Sequence, residues 1–203
     1  MKKRFLPIPL ILLIPIVLLI IVSVAGVYRF SLSDEEILAK FPSQSPSQDS
    51  IMSTVFGINT SNPWTVKIPE SSAFTFIDEV EQGNLLKGTY EDGAERGSVT
   101  MNREQIIKMD ANTYLSILSL SNQGSGRFYY VMVSQYDEFR QRLITKDSAL
   151  LGDRIVVKAI ESNQRDVTVT LLKHEQSQAM SESPSQQVIR TYRVTKEGSL
   201  ISQ

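Results

Sequence analysis

Few side chains in this sequence are suited to chemistry, and their spacing matches no common catalytic pattern. His174 is the single histidine among 203 residues, and cysteine is absent. Thiolate metal ligands, cysteine nucleophiles and histidine pairs are therefore excluded. A serine hydrolase would need an activated serine near His174, but Ser125, which stands between two glycines, lacks the G-x-S-x-G spacing of a nucleophile elbow. We expect His174 to be a structural hydrogen-bonding group and the protein not to be an enzyme.

Acidic side chains are crowded between residues 78 and 95, where they could in principle hold a cation. The carboxylates are those of Asp78, Glu79, Glu81, Glu91, Asp92 and Glu95. Calcium takes about six to eight oxygen ligands, and a calcium loop supplies them with a D-x-D-x-D-G spacing that this stretch lacks. A solvated acidic hairpin explains the stretch better. We expect neither a metal ion nor a cofactor.

Gly152, Asp153 and Arg154 form a short sequence between two apolar runs, and it has two interpretations. The Arg154 guanidinium could bind an anionic ligand. Alternatively, the three residues form a structural turn, in which Gly152 permits a positive φ and Asp153 accepts local backbone N–H bonds. We favour the turn, and we keep Gly152, Asp153 and Arg154 as the candidate site residues.

The charge of the chain is distributed unevenly. With Lys2, Lys3 and Arg4 set aside, the 21 basic residues fall to 18, against 22 acidic ones, so the remainder carries about −4. Such a chain is too acidic for general binding to nucleic acid, which requires a basic surface. We therefore expect no nucleic-acid partner.

The N-terminal segment predicts a membrane anchor. Residues 5–28 contain no charged residue. As a helix they would span roughly 36 Å, against about 30 Å for the hydrocarbon core of a bilayer. Three basic residues precede the segment and Arg29 alone directly follows it, which favours a cytoplasmic N-terminus. We predict a single-pass anchor over residues 1–28 in the cell membrane, with the rest of the chain extracytoplasmic, in the periplasm.

A cleaved signal peptide is the alternative for this segment. Ser23 and Ala25 place small residues at the two positions that a signal peptidase reads, which would cut after Ala25. However, the apolar region of a signal peptide is usually about 7–15 residues long, shorter than this segment. We favour the uncleaved anchor.

Residues 29–50 are predicted to connect the anchor to a folded domain. Ser33 and Glu36 have the spacing of a capping box, which indicates a short amphipathic helix before Pro42. Residues 42–50 are rich in serine, proline and glutamine and read as a linker.

Residues 51–203 predict a mainly β domain, because apolar and polar residues mostly alternate with a period of two. Turn-forming sequences separate the runs at hairpin-like spacing. Residues 137–144 fit either a helix or a strand, and we favour a strand. Many short strands with little helix indicate an antiparallel sandwich or barrel. The predicted strands include residues 64–69, 73–80, 97–102, 113–120, 127–133, 153–160, 167–172 and 188–194.

Several short motifs in the C-terminal part resemble those of a bacterial family of exported proteins and lipoproteins of unknown function. The sequence GSGRFYYV at residues 124–131 is similar to the family's G-S-G-x-F-Y-Y-V, and LLGDRI at residues 150–155 is similar to its L-L-G-D-R-(I/V). DVTV at residues 166–169 and RTYRV at residues 190–194 complete the resemblance, which covers about 75 residues. It implies export and a β-rich domain, but no activity or substrate.

The chain departs from that family at two places. Members carry a calcium-type acidic loop before the first motif, whereas residues 109–113 here read MDANT. Many members also carry a cysteine pair after the histidine, and residues 180–184 here read MSESP. Calcium binding and a disulfide are therefore not carried over.

Together these features predict a membrane-anchored extracytoplasmic accessory or binding module. The alternative is a structural or assembly subunit of a membrane or envelope complex, and a hydrolase is the third and least favoured hypothesis. The expected partners are the membrane itself and an envelope protein.

The orientation of the chain can be tested directly. A reporter enzyme that is active only outside the cytoplasm, fused after Gln203, should be active, because the basic residues before the anchor retain the N-terminus inside. A reporter that functions only in the cytoplasm serves as the control and should be inactive at the same position. The opposite pattern would contradict the orientation and the predicted localisation.

Overall fold

The computed structural model describes residues 10–31, 48–81 and 84–203, with the side chains of the first helix described for residues 13–27. The chain divides into two compact units, residues 1–47 and residues 48–203. In the first unit, helix α1 runs from Leu10 to Ser31 and contains Pro15. Among the described residues, no helix is both long and apolar enough to cross a membrane. The predicted helix at Ser33 and the linker up to residue 47 lie outside the described residues.

The second unit begins with a short helix, α2, which the sequence did not lead us to predict. It spans Ser50–Phe56. Asp49, placed in the linker by composition, caps its N-terminus through a 2.8 Å bond from the Met52 N–H to Oδ1. Gly57 ends it with a positive φ of 68°, the conformation that glycine adopts most readily at a helix C-terminus.

The rest of this unit is built from strands, which confirms the prediction of a mainly β domain. A single-turn 3₁₀ helix at Arg103–Gln105 is the other helical element in its described part. The strands are β1 (Trp64–Lys67), β2 (Phe74–Ile77), β3 (Glu79–Glu81), β4 (Leu85–Asp92), β5 (Glu95–Asn102), β6 (Ile107–Lys108), β7 (Thr113–Asn122), β8 (Arg127–Asp137), β9 (Arg142–Asp153), β10 (Val156–Asn163), β11 (Asp166–Lys173), β12 (Gln186–Val194) and β13 (Leu200–Ser202).

The larger sheet curls into a nearly closed barrel. Its strand order is β2-β1-β9-β8-β7-β5-β4-β3, with β6 added beside β7. The two ends of this order meet because β2 and β3 are separated by Asp78 alone. β2 pairs with β1 and β3 pairs with β4, while the Asp78 N–H donates to the Lys87 carbonyl at 3.2 Å. β1 and β9 are parallel, whereas every other pairing in this sheet is antiparallel among the described strands.

A second, four-stranded sheet packs against the outside of the barrel. It has the order β10-β11-β12-β13 and is antiparallel throughout. Its inner face contributes Val167, Val169 and Leu171 to a buried cluster. The barrel contributes outward-facing residues of β7 and β8 to the same cluster, namely Leu115, Ile117, Val131 and Val133.

β7 and β8 are therefore buried on both faces. Successive side chains of a strand point to opposite faces, so Leu118 and Met132 enter the barrel interior while Ile117 and Val131 face the second sheet. This explains why residues 113–120 read as an almost continuous run of apolar and small residues rather than as a strict alternation.

Helix α2 closes one end of the barrel. Ile51 and Met52 are buried in the barrel's core cluster, and Phe56 places its ring edge-on to Trp64 and Tyr114, with centroids 4.9 Å apart in both pairs. Trp64 opens β1 and Tyr114 lies near the start of β7. The helix thus occupies the end where those strands begin, and no comparable helix covers the opposite end in the part of the chain that the structure describes.

The predicted strand over residues 73–80 is divided at Asp78 into β2 and β3, and the predicted strand over residues 137–144 was wrong. Residues 137–144 do not form a single extended segment, because β8 ends at Asp137 and β9 begins at Arg142. The Asp137 carboxylate accepts the Arg140 N–H at 3.0 Å, and Gln141 has a positive φ of 51°. Local side-chain bonding of this kind is typical of turns.

The closure of the barrel depends on Gly88 in β4. A Cβ at this position would collide with the backbone oxygen of Phe76 and would lie 2.8 Å from Thr75 Oγ1. Gly88→Ala should therefore destabilise the protein by about 1–3 kcal/mol, as overpacking against a backbone does. Chemical denaturation of the full-length protein measures the loss.

Gly124→Ala is the matched control for Gly88. Its added Cβ would approach only Asn122 Oδ1, at 3.1 Å, which is the end of a movable side chain. We expect a change within about 0.5 kcal/mol. Equal stability of the two variants would contradict the close approach of β2 and β4.

Candidate functional site

The open end of the barrel contains a cavity of about 280 Å³. We refer to it as the mouth cavity, and its residues come from the loop after β1 and from β4, β5, β7, β8 and β9. The buried part of its lining consists of Ile68, Tyr90, Leu120 and Tyr130. The more exposed part consists of Pro69, Glu70, Ser71, Asp92, Glu95, Asn122, Phe128 and Leu150.

The loop between β1 and β2 holds one side of the cavity in place. The Ile68 N–H donates to the Ala73 carbonyl at 2.9 Å, and the Ser71 N–H donates to the Ile68 carbonyl at 3.3 Å. Glu70, at the tip, has a positive φ of 59°. The Ser71 hydroxyl donates to Asp92 Oδ2 and thereby ties the loop to the end of β4.

The opposite side is built by the β4–β5 hairpin and the end of β7. Tyr90 Oη donates to Glu95 Oε1 at 2.7 Å, and Asn122 Nδ2 lies 3.5 Å from the same oxygen. Gly97 lies close to the Tyr90 ring: a Cβ there would come within 2.5 Å of Cε1. The orientation of Tyr90 is thus fixed by both packing and hydrogen bonding.

The charges at the mouth cavity are all of one sign. Glu70, Asp92 and Glu95 are acidic, and none of the other lining residues is basic. None of these three carboxylates forms an ion pair within the described residues. A concave surface with one sign of charge concentrates the potential and attracts ligands of the opposite sign.

The two tyrosines at the cavity are held neutral. Burial is the main cause that raises the pKa of both hydroxyls, and Glu95 adds to the effect at Tyr90. At Tyr130 the neighbouring Glu70 carboxylate adds to burial and brings the pKa to about 12. Both phenols therefore remain protonated at physiological pH and act as hydrogen-bond donors, not as phenolate nucleophiles.

Two of the motifs that carry the family resemblance lie side by side at this cavity. β8 and β9 pair so that Phe128 is opposite Asp153 and Tyr130 is opposite Leu150, with a register shift between them. Phe128, Tyr130 and Leu150 all line the mouth cavity. Tyr129, between them, packs instead against the core beneath the second sheet.

Gly152, Asp153 and Arg154 lie at the corner where the chain leaves the barrel for the second sheet. Asp153 Oδ1 accepts the Arg127 N–H at 2.8 Å, and the Arg154 N–H donates to the Arg127 carbonyl at 2.8 Å. The Arg154 and Asp153 side chains form an ion pair of 3.3 Å. We expected Asp153 to accept N–H bonds within its own turn, but its carboxylate accepts one from the neighbouring strand β8. None of the three residues lines the mouth cavity.

The other sequence candidates lie apart from the mouth cavity. His174 follows β11, and its Nε2 is 2.9 Å from the Glu182 carbonyl. Part of the acidic stretch forms ion pairs on the surface: Glu79 and Glu81 lie 3.6 and 2.8 Å from Lys87, and Glu91 lies 3.2 Å from Arg96. Of the six acidic residues in the stretch, Asp92 and Glu95 are the two that line the mouth cavity. Within the described residues, no group of three or more His, Asp or Glu is placed to hold a metal ion.

Sequence reasoning missed Glu70, Tyr90 and Tyr130 as members of one site. They lie on separate segments of the chain, and no spacing rule connects them. Asp92 and Glu95 were noticed only as possible metal ligands. The available signal was the pair of motifs at residues 124–131 and 150–155, which do border the cavity.

Comparison with known proteins identifies no relative. No protein-family model matches the chain, and neither a curated protein nor a solved structure matches it. The resemblance described from the motifs therefore stays a prediction.

The role of Asp153 at the corner can be measured. Asp153→Ala should cost about 1–3 kcal/mol of stability, because the Arg127 N–H would lose its acceptor. Asp166→Ala is the control, since its ion pair with Arg193 is on the surface and should contribute much less. Thermal unfolding compares the two variants. If Asp153→Ala melts like the wild type and loses a binding partner, Asp153 belongs to a site and not to a structural corner.

Proposed function

We propose that this protein is a membrane-tethered, extracytoplasmic binding module whose recognition site is the mouth cavity. The observation that carries the proposal is the composition of that cavity. It has a buried apolar and aromatic floor, polar groups converge at its rim, and separate segments of the chain build it. Concave sites with this combination are the usual form of ligand-binding pockets.

The tether rests on the sequence. Residues 5–28 carry no charge and the basic residues Lys2, Lys3 and Arg4 precede them, which favours an inner-face N-terminus and an external domain. Large apolar side chains along residues 13–27 of α1 are exposed, as expected for a segment that contacts lipid or other helices. Retention of the anchor, as opposed to cleavage after Ala25, is part of the proposal.

The arrangement at the mouth cavity favours binding over catalysis. Its lining contains no histidine, cysteine or lysine that could act as a base or nucleophile. Its serine, Ser71, donates its hydrogen to a carboxylate, and its tyrosines are neutral. A carboxylate is a weaker base than the imidazole that usually activates a serine, so the bond from Ser71 to Asp92 holds the loop in place rather than preparing a nucleophile.

An assembly subunit of an envelope complex is the second candidate, and exposed aromatic residues favour it. Phe74 and Phe76 lie on the outer face of β2 with 60% and 55% of their surface exposed. Phe139, in the turn before β9, is 97% exposed. A permanent complex would cover such residues, since stable interfaces are rich in aromatic side chains.

Affinity purification of the full-length protein from membranes distinguishes the two candidates. Leu150→Arg would place a bulky charged side chain at the rim of the mouth cavity, and it should reduce partner recovery about tenfold, equivalent to about 1.4 kcal/mol. Ile201→Arg is the matched control, because Ile201 is similarly exposed but lies on β13 of the second sheet. Recovery should be unchanged in this control.

Phe76→Arg tests the second candidate in the same experiment. If this variant loses the partner while Leu150→Arg retains it, the outer face of β2 is the interaction surface. The protein would then be better described as an assembly subunit than as a binding module with a recognition cavity.

A further inference from the structure

We infer that the mouth cavity recognises an organic cation with an apolar stem, the chemistry of an alkylammonium group. This inference rests on the proposed function, because it names the ligand class of the same site. It is argued from three properties of the cavity: its charge, its walls and its size.

The charge of the cavity is unbalanced, unlike that of its surroundings. On the same hairpin, Glu91 is paired with Arg96, and nearby Glu79 and Glu81 are paired with Lys87. Glu70, Asp92 and Glu95 have no such partner within the described residues, and they face a common space. A ligand that brings one positive charge would supply the partner that the fold does not provide.

The walls favour an organic cation over a bare metal ion. A metal ion requires several oxygen atoms to converge on one point, and the described residues contain no such group of three. The cavity instead has a buried apolar and aromatic floor of Ile68, Leu120 and Tyr130, and Phe128 and Leu150 add more exposed apolar surface at its rim. Methylene groups can pack on this surface, and the face of a neutral phenol attracts a cation.

The size of the cavity limits the ligand further. Pockets for drug-sized molecules are about 300–1,000 Å³, and the mouth cavity, at about 280 Å³, is just below that range. It therefore accommodates a single side chain or a short amine rather than a large ligand. The same alkylammonium chemistry has two sources, a lysine side chain of a partner polypeptide and a free alkyl diamine.

Titration calorimetry of the full-length protein in detergent micelles tests the inference. Cadaverine is the small-molecule probe, and pentanediol, of similar length and without charge, is its control. A short capped peptide with a central lysine is the polypeptide probe, and the same peptide with norleucine is its control. We expect saturable binding of at least one charged probe and none of the uncharged ones. The tighter of the two charged probes identifies the source.

Charge-removing variants link the binding to this cavity. Glu70→Gln and Glu95→Gln retain the shape of the side chain and should each weaken binding of the charged probe about tenfold. Glu91→Gln is the matched control, because Glu91 lies on the same hairpin without lining the cavity. Glu70→Gln should disturb folding less than Glu95→Gln, because Glu70 is an exposed residue at the tip of a loop, whereas Glu95 accepts the hydrogen bond that fixes Tyr90.

Three results would overturn the inference. They are the absence of saturable binding by both amines, equal binding of charged and uncharged probes, and unchanged affinity in both glutamine variants. If Leu150→Arg loses a partner that both glutamine variants retain, the binding module stands and the cationic ligand class fails. If cadaverine binds as expected while Leu150→Arg retains every partner, the ligand class stands and the proposed function fails.

Discussion

Burial of the β7–β8 pair on both faces is the constraint on which the rest of the domain depends. Leu118 and Met132 fill the barrel, while Ile117 and Val131 fill the layer beneath the second sheet. One pair of strands therefore belongs to two hydrophobic cores, and a shift of its register by one residue would exchange the two sets of side chains. Because apolar burial is the dominant favourable term in folding, both cores hold this pair in one register. The hairpin can then present Asn122, Phe128 and Tyr130 at fixed positions beside the mouth cavity.

The two ends of the barrel differ because the chain covers only one of them. Helix α2 inserts Ile51 and Met52 at the end where β1 and β7 begin, and its Phe56 packs edge-on against two further aromatic rings. No comparable element covers the other end within the described residues. The side chains of the barrel interior form a concave surface there, and the loop after β1 and the adjoining ends of β4 and β5 supply the carboxylates. The location of the candidate site thus follows from how the core is completed at the opposite end.

The two tyrosines of the mouth cavity, Tyr90 and Tyr130, have different roles. Tyr90 is fixed by its bond to Glu95 and by close packing against Gly97, so it forms part of the wall. Burial and the Glu70 carboxylate raise the pKa of Tyr130, so its hydroxyl stays neutral and can donate a hydrogen bond. The cavity consequently combines fixed negative charge with neutral aromatic surface. An arrangement of this kind selects ligands by charge and by apolar shape at the same time.

The sequence by itself determined the class of the domain and several of its local features. Alternation in segments such as residues 167–172 predicted strands, because a half-buried strand repeats every two residues. Residues 137–144 were mispredicted as a strand, since the Asp137 bond to the Arg140 backbone favours a turn that propensity alone does not show. Glu70, Tyr90 and Tyr130 could not be grouped from the sequence. Their proximity depends on the pairing of β1 with β9 and of β5 with β7, which join segments far apart in the chain, and on barrel closure through β2, β3 and β4. The strands followed from local periodicity, whereas the site was decided by tertiary structure, because only the closed sheet brings distant segments to one open end.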